Sequence, residues 1–330
     1  MTFQRSTRTV LAVAVLGLAQ FALAANARAD NARFGEFTAW SAPVNIGPTI
    51  NTPYEESAPA ISADGRSLYF NRNTNGADPS QPGKIDEDIF VSRRTNRNHP
   101  WGEPEAVAVL NTDTFNERNV ALSRDGKLLF FSSDREAAGN LDLYVSQRVS
   151  SHHGAPDGWS APTSLGTVVN STANDIGPGY FQDKHGTDLL YLTSNRLGGP
   201  GLLDIYASER GADGPDGMPT FGTPVLVAEL SSARNDARPA IRADGLEAVL
   251  QSDRLPSAGL GDVWTSTRES LAQPWGAPVN LGSVINTTFQ DRQAALSDDA
   301  ETLYFATNRV GADDIWTSTR EPIKGPHSGG

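Results

Sequence analysis

The chain has 330 residues, 38% of them hydrophobic, a formal net charge of −12 and no cysteine. That length is enough for one domain to bury about three quarters of its unfolded surface. The lack of cysteine excludes disulfides and thiol chemistry. The negative charge argues against nucleic acid and anionic membrane surfaces as partners, and suits divalent cations or small neutral substrates.

Residues 1–29 read as a secretory signal peptide. Arg5 and Arg8 precede an apolar run from Val10 to Ala22, followed by the small-residue cleavage signatures Ala22-Leu23-Ala24 and Ala27-Arg28-Ala29. A basic start, a short apolar stretch and an A-x-A site are the features of an export leader. The mature chain is therefore expected to be periplasmic or secreted, with no membrane insertion once the leader is removed.

From there the chain repeats itself. Trp40-Ser41-Ala42-Pro43, Trp101-Gly102-Glu103-Pro104, Trp159-Ser160-Ala161-Pro162, Phe221-Gly222-Thr223-Pro224 and Trp275-Gly276-Ala277-Pro278 open five units, starting at 40, 101, 159, 221 and 275, so the steps are 61, 58, 62 and 54 residues. A period above 40 points to four-stranded propeller blades, each unable to bury its apolar face alone. After each opening come a short apolar strand, a polar lead-in and a small-residue strand such as Pro59-Ala60-Ile61-Ser62 or Ala294-Ala295-Leu296-Ser297. Small residues suit the crowded strand next to the axis. Asp64-Gly65, Asp125-Gly126 and Asp244-Gly245 follow as tight hairpins, Gly supplying the positive φ. The second strand is mostly aromatic (Leu68-Tyr69-Phe70, Leu129-Phe130-Phe131, Leu190-Tyr191-Leu192, Leu303-Tyr304-Phe305) and ends in loops bearing Asp134-Arg135, Asn195-Arg196, Asp253-Arg254 and Asn308-Arg309, with Asn73-Thr74 in that register of the first repeat. The third strand reads Asp88-Ile89-Phe90, Asp142-Leu143-Tyr144, Asp204-Ile205-Tyr206, Asp262-Val263-Trp264 and Asp314-Ile315-Trp316.

The Ser-x-Asp-Gly hairpin, the Ser-Asp-Arg type loop and the Asp-Ile-Tyr type strand together resemble the WD40-like (PD40) repeat of the TolB β-propeller group, over about residues 40 to 320. The resemblance implies fold rather than function, because that group includes scaffolds, sensors and enzymes. The TolB propeller usually has six blades, whereas five repeats are counted here. The expected fold is all-β: a five-bladed β-propeller over residues 30–322 with N-to-C-terminal strand closure, and a disordered tail over 323–330. Closure follows from the order of the strands. The last repeat ends at its third strand, so the segment from Trp40 to Ile46 is needed as the outer strand of the final blade, which removes the open edges.

Alignment of the five lead-ins gives Glu55-Glu56-Ser57, Asn116-Glu117-Arg118, Asn174-Asp175-Ile176, Asn235-Asp236-Ala237 and Gln290-Asp291-Arg292. The middle column is acidic throughout, and the column before it is a carboxylate or carboxamide. Two carboxylates about 7 Å apart repel by roughly 2 kcal/mol at an effective dielectric near 20. A ring of five must therefore bind a cation, hold protons or pair with arginine. In the first case Ca²⁺, which takes carboxylate and amide oxygens, is held by Glu117, Asp175, Asp236 and Asp291 with Asn116, Asn174 and Asn235. Glu56 is then the spare carboxylate acting as general base on a small lactone or ester. In the other case arginines bolt the ring: Arg118, Arg238 and Arg292 lie within two residues of it, and Arg135, Arg196, Arg254 and Arg309 occupy loops at the same face.

Other candidates are weaker. His99, His152, His153 and His185 belong to the opposite face and His327 to the tail; solvated positions suit them better than a general base. Asp213-Gly214-Pro215-Asp216-Gly217 reads as a turn-rich insertion and lacks the full EF-hand register. Trp40, Trp101, Trp159 and Trp275 lie on outer strands, where packing between blades explains them better than sugar stacking. Serine-hydrolase, zincin and phosphate-loop motifs are absent. Two functions are thus left open: a monomeric exported Ca²⁺-dependent lactonase or esterase, and a non-catalytic periplasmic module binding a protein or a cell-wall fragment. A glycosidase is a third, less favoured possibility.

Overall fold

The computed structural model describes residues 36–73, 87–136, 140–149, 158–183 and 188–323. The expected leader (1–29), Thr74, four of the five histidines (152, 153, 185 and 327) and all but Ile323 of the expected tail lie outside them.

Strand β1 (Val44–Asn45) comes first, followed by four complete blades. Blade one is β2 (Glu55–Ile61), β3 (Ser67–Asn73), β4 (Glu87–Arg93) and β5 (Glu105–Ala106); blade two is β6 (Glu117–Leu122), β7 (Leu128–Ser133), β8 (Asp142–Gln147) and β9 (Thr163–Ser164). A single helical turn, α1 (Gly166–Val169), leads to blade three: β10 (Asp175–Gln182), β11 (Asp188–Ser194), β12 (Asp204–Glu209) and β13 (Val225–Leu226). Blade four is β14 (Asp236–Ile241), β15 (Glu247–Ser252), β16 (Asp262–Thr267) and β17 (Val279–Asn280), and blade five is β18 (Asp291–Leu296), β19 (Thr302–Thr307) and β20 (Asp314–Thr319) completed by β1.

These are five four-stranded antiparallel sheets, a five-bladed β-propeller. Its ring closes as the repeat order requires: Val44 pairs with Thr317 and Asn45 with Trp316. Ser318 Oγ donates to the Ser41 carbonyl at 2.7 Å, and Thr38 N donates to that of Glu321 at 2.8 Å. The innermost strand of each blade is the small-residue strand. Its crowding is clearest at Gly179, where a Cβ would lie 2.0 Å from the Pro239 carbonyl oxygen of the neighbouring blade.

The apolar cores lie between blades rather than within them. Tyr69, Val91, Leu110, Leu129, Phe131 and Trp159 form one between blades one and two, and four similar clusters occupy the other junctions. The opening Trp of the repeat is a packing residue here: Trp159 Nε1 donates to the Tyr69 hydroxyl at 3.1 Å, with the rings edge to face. Arg148 stacks on the outer face of Trp159 at 4.0 Å, as Arg94 does on Trp101 and Arg268 on Trp275.

Candidate functional site at the axial mouth

The acidic column is buried: Glu56, Glu117, Asp175, Asp236 and Asp291 have no exposed surface. Each carboxylate sits in the same clamp. A hydroxyl four or five residues upstream donates to it, from Thr52 (2.5 Å), Thr112 (3.1 Å), Ser171 (2.8 Å), Ser232 (2.6 Å) and Thr287 (2.7 Å). An arginine pairs with it: Arg72 at 2.8 Å, Arg135 at 3.1 Å, Arg196 at 2.5 Å, Arg309 at 2.5 Å, and Arg254 through Nε at 3.1 Å. The same guanidinium donates to the carbonyl of the preceding connection, at Ile50, Leu110, Val169, Leu230 or Ile285, and stacks on the third-strand aromatic, Phe90, Tyr144, Tyr206, Trp264 or Trp316. The aromatic of the Asp-Ile-Tyr type strand is therefore the base of the clamp.

The carboxamides before the acids are equally engaged. Asn116 and Asn235 donate to Asp134 and Asp253 at 3.1 and 2.9 Å, while Asn174 Oδ1 accepts from Leu141 N at 2.9 Å. Among the described residues no three His, Asp or Glu side chains are grouped to hold a metal ion. The structure thus does not gather Glu117, Asp175, Asp236, Asp291, Asn116, Asn174 and Asn235 into a calcium shell. Nor is Glu56 spare, because Arg72 supplies from within β3 the pairing that the loops supply elsewhere. Burial raises the Glu56 and Glu117 carboxyls above their ordinary values, and the hydroxyls and arginines pull the other way.

The arginines adjacent to the column in sequence do something else. Every innermost strand carries a β-bulge one to four residues past its acid, with a left-handed residue at its centre: Ala58, Asn119, Gly177, Arg238 and Gln293, φ between 52° and 64°. A side chain of a neighbouring blade caps the bulge N–H in four of them: Asn71 for Asn119, Ser132 for Gly177, Thr193 for Arg238 and Gln293 for Ala58, at 2.9–3.1 Å. Five-fold recurrence makes the bulge part of the architecture. Its consequence is chemical at one blade only, where it turns Arg238 into the axis.

Arg238 is 8% exposed and lines the axial cavity, of volume about 110 Å³. The rest of that wall is the free edge of the innermost strands, including Pro59, Val120, Pro178, Pro239, Ala240 and Ala295, and more of the cavity surface is polar than apolar. The stem of Arg238 runs over Gly177, where a Cβ would meet its Cδ at 2.8 Å. Its Nη1 is buried without a hydrogen-bond partner among the described residues, as are Nε of Arg118 and Nε of Arg292. Arg118 pairs with Glu87 at 3.3 Å and Arg292 pairs with Asp313, whereas Arg238 has no carboxylate of its own among the described residues. Burial, opposed by Glu87 and reinforced by the charges of Arg118 and Arg292, pushes the Arg238 guanidinium down to about 9. It still carries its charge at neutral pH.

Among the described residues the lead-in face of the axis therefore presents the guanidinium groups of Arg118, Arg238 and Arg292 with Glu87 and Asp313 as partners of the first and last. The other face is crossed by Arg124, which grips Asp298 through two contacts of 2.7 and 3.3 Å. His99 lines a separate groove of about 550 Å³ between blades five and one, with Arg94, Trp101 and Tyr304.

No protein-family model and no curated protein matches the chain. Solved structures share the fold. An endo-arabinase from Bacteroides thetaiotaomicron VPI-5482 superimposes with a TM-score of 0.55 at 14% identity, over 88% of this chain and 99% of that one. A thermostable family-43 glycoside hydrolase gives 0.52 at 13% identity, over 86% and 94%. TolB from Acinetobacter baumannii gives 0.45 at 13% identity, over 83% of this chain; the chain spans 56% of that TolB. The first two likenesses support the propeller fold and no particular activity.

Proposed function

We propose that this chain is an exported, non-catalytic β-propeller that binds a small ligand at the axial mouth of its lead-in face. The observation that carries this reading is Arg238, a nearly buried guanidinium lining the axial cavity and lacking a carboxylate partner among the described residues. Leaving an ion buried and unpaired costs several kcal/mol, and a perturbed group of this kind at a cavity wall is a candidate ligand site. The calcium-dependent lactonase or esterase reading loses its support in the clamps: its proposed ligands and its proposed base already have arginine, hydroxyl or amide partners. Export rests on the leader-like sequence of residues 1–29.

Incubation of the purified mature protein with chromogenic esters, lactones, arabinofuranosides and xylosides, with calcium or EDTA, tests this reading. No turnover above that of heat-denatured protein is expected. Turnover lost in Glu56→Gln would restore the hydrolase, and turnover lost in Glu87→Gln or Asp313→Asn would favour a glycosidase.

A further inference from the structure

Resting on that reading, we infer that the axial mouth takes a short-chain monocarboxylate. Its carboxylate would sit on Arg238 between Arg118 and Arg292, with its alkyl end in the collar below. Charge, donor placement and depth support this ligand class independently.

The charge count comes first. Among the described residues Glu87 and Asp313 each pair with one of the three arginines and Arg238 is left without a carboxylate, one guanidinium for a monoanion rather than for phosphate or sulfate. Guanidinium groups bind carboxylates through paired, charge-assisted hydrogen bonds, and three buried N–H groups here lack partners. The next residues down the strands are Pro59, Val120, Pro178, Pro239 and Ala294, all on the cavity wall; three of them are prolines with no N–H to offer. At that level three of the five positions offer no N–H to the further oxygens of a tetrahedral oxyanion. A carboxylate places both oxygens at one end and an alkyl chain at the other. Below the prolines lie Ala60, Ala121, Gly179, Ala240 and Ala295 and then Ile61, Leu122, Tyr180, Ile241 and Leu296, whose side chains offer an alkyl group apolar contacts between the polar strand edges, the Tyr180 hydroxyl being engaged with Asp188. The cavity's 110 Å³ is somewhat smaller than the roughly 150 Å³ that admits benzene, which limits the buried part to a short chain.

Calorimetric and thermal-shift titration of the mature protein with sodium butyrate, acetate, phosphate and sulfate tests the inference. Butyrate is expected to bind and raise the melting temperature, acetate to bind more weakly, and the other two not to bind. Arg238→Met, which keeps the stem and removes the charge, should weaken butyrate by about tenfold or more. It should melt no lower than the wild type without anion, since it removes an unpaired buried charge. Should that variant fail to fold, Ala295→Leu keeps the guanidinium and fills the collar; it should lose butyrate while acetate binding survives. Tighter binding of phosphate or sulfate than of butyrate, lost in Arg238→Met, would overturn the ligand class and leave the binding-module reading standing. Absence of binding by all four anions, butyrate binding unchanged in Arg238→Met, or a lower melting point of that variant without anion would overturn the site itself.

Discussion

Arg72 in β3 lies directly across the strand pair from Glu56 in β2 and donates to its buried carboxylate at 2.8 Å. In the other four blades the corresponding arginine, Arg135, Arg196, Arg254 or Arg309, reaches the acid from the loop beyond the second strand. One blade thus reaches the same clamp by a different backbone route. This is what a ring of paired charges requires if no member may be left alone.

Removal of one arginine exposes that requirement. Arg254→Met leaves Asp236 fully buried with only Ser232 and Ser252 as donors. Loss of one partner of a buried pair costs about 3–5 kcal/mol, and urea unfolding should show a loss of that size. A loss below about 1 kcal/mol, as for an exposed pair, would mean that the clamps do not hold the fold.

The opening tryptophan Trp159 packs between blades one and two and carries stability. Trp159→Ala removes a ring that is 3% exposed, the hydrogen bond to Tyr69 and the stack under Arg148. Truncation of this kind costs about 3–5 kcal/mol. Denaturation should show that loss, and anion binding at the axis should be unchanged at temperatures where the variant is folded.

Asp142 gives stability a pH dependence. Burial first, then the charges of Asp175 and Glu136, raise its carboxyl to about 6. An acid raised on folding contributes stability that is present below its ordinary value near 4 and is lost as pH rises through 6. Asp142→Asn, neutral throughout, should therefore melt higher than the wild type at pH 7 by on the order of 2 °C. The advantage should vanish at pH 4, and paired thermal melts at the two values measure it.

Gly177 tests the route of Arg238 across the mouth. A methyl group there meets the Arg238 stem at 2.8 Å and imposes φ of +56° on an alanine. The backbone term alone costs about 1–2 kcal/mol. Because the struck atom belongs to a long side chain, the fold should survive and the guanidinium should shift. Gly177→Ala should therefore lose butyrate affinity more than stability, and calorimetry with a parallel urea curve separates the two.

The blades were legible in the sequence because their signals are local. Gly65, Gly126 and Gly245 adopt the positive φ their Asp-Gly hairpins demand, between 70° and 74°. The missing outer strand of the last blade was likewise countable, and β1 fills it. The acidic column was found correctly, but its partners were not among the arginines beside it. Arg118 and Arg292 directly follow their acids, and neighbouring strand residues point to opposite faces, so they turn away. Arg238 is two residues from Asp236, a spacing that shares a face in a regular strand; the bulge at that point breaks the alternation. Two signals for the axial site did exist. Blade four has one more arginine than it needs for Asp236, and the position before the third-strand Asp is acidic only in Glu87 and Asp313, against Leu141, Leu203 and Gly261 elsewhere.

The most direct test of the clamped ring is calcium calorimetry on the purified mature protein, with melting curves in calcium and in EDTA. If arginines satisfy the five carboxylates, no saturable heat should appear and the two curves should coincide. A saturable calcium isotherm with a matching rise in melting temperature, both lost in Asp236→Asn, would contradict it and return the ring to the role of a metal site.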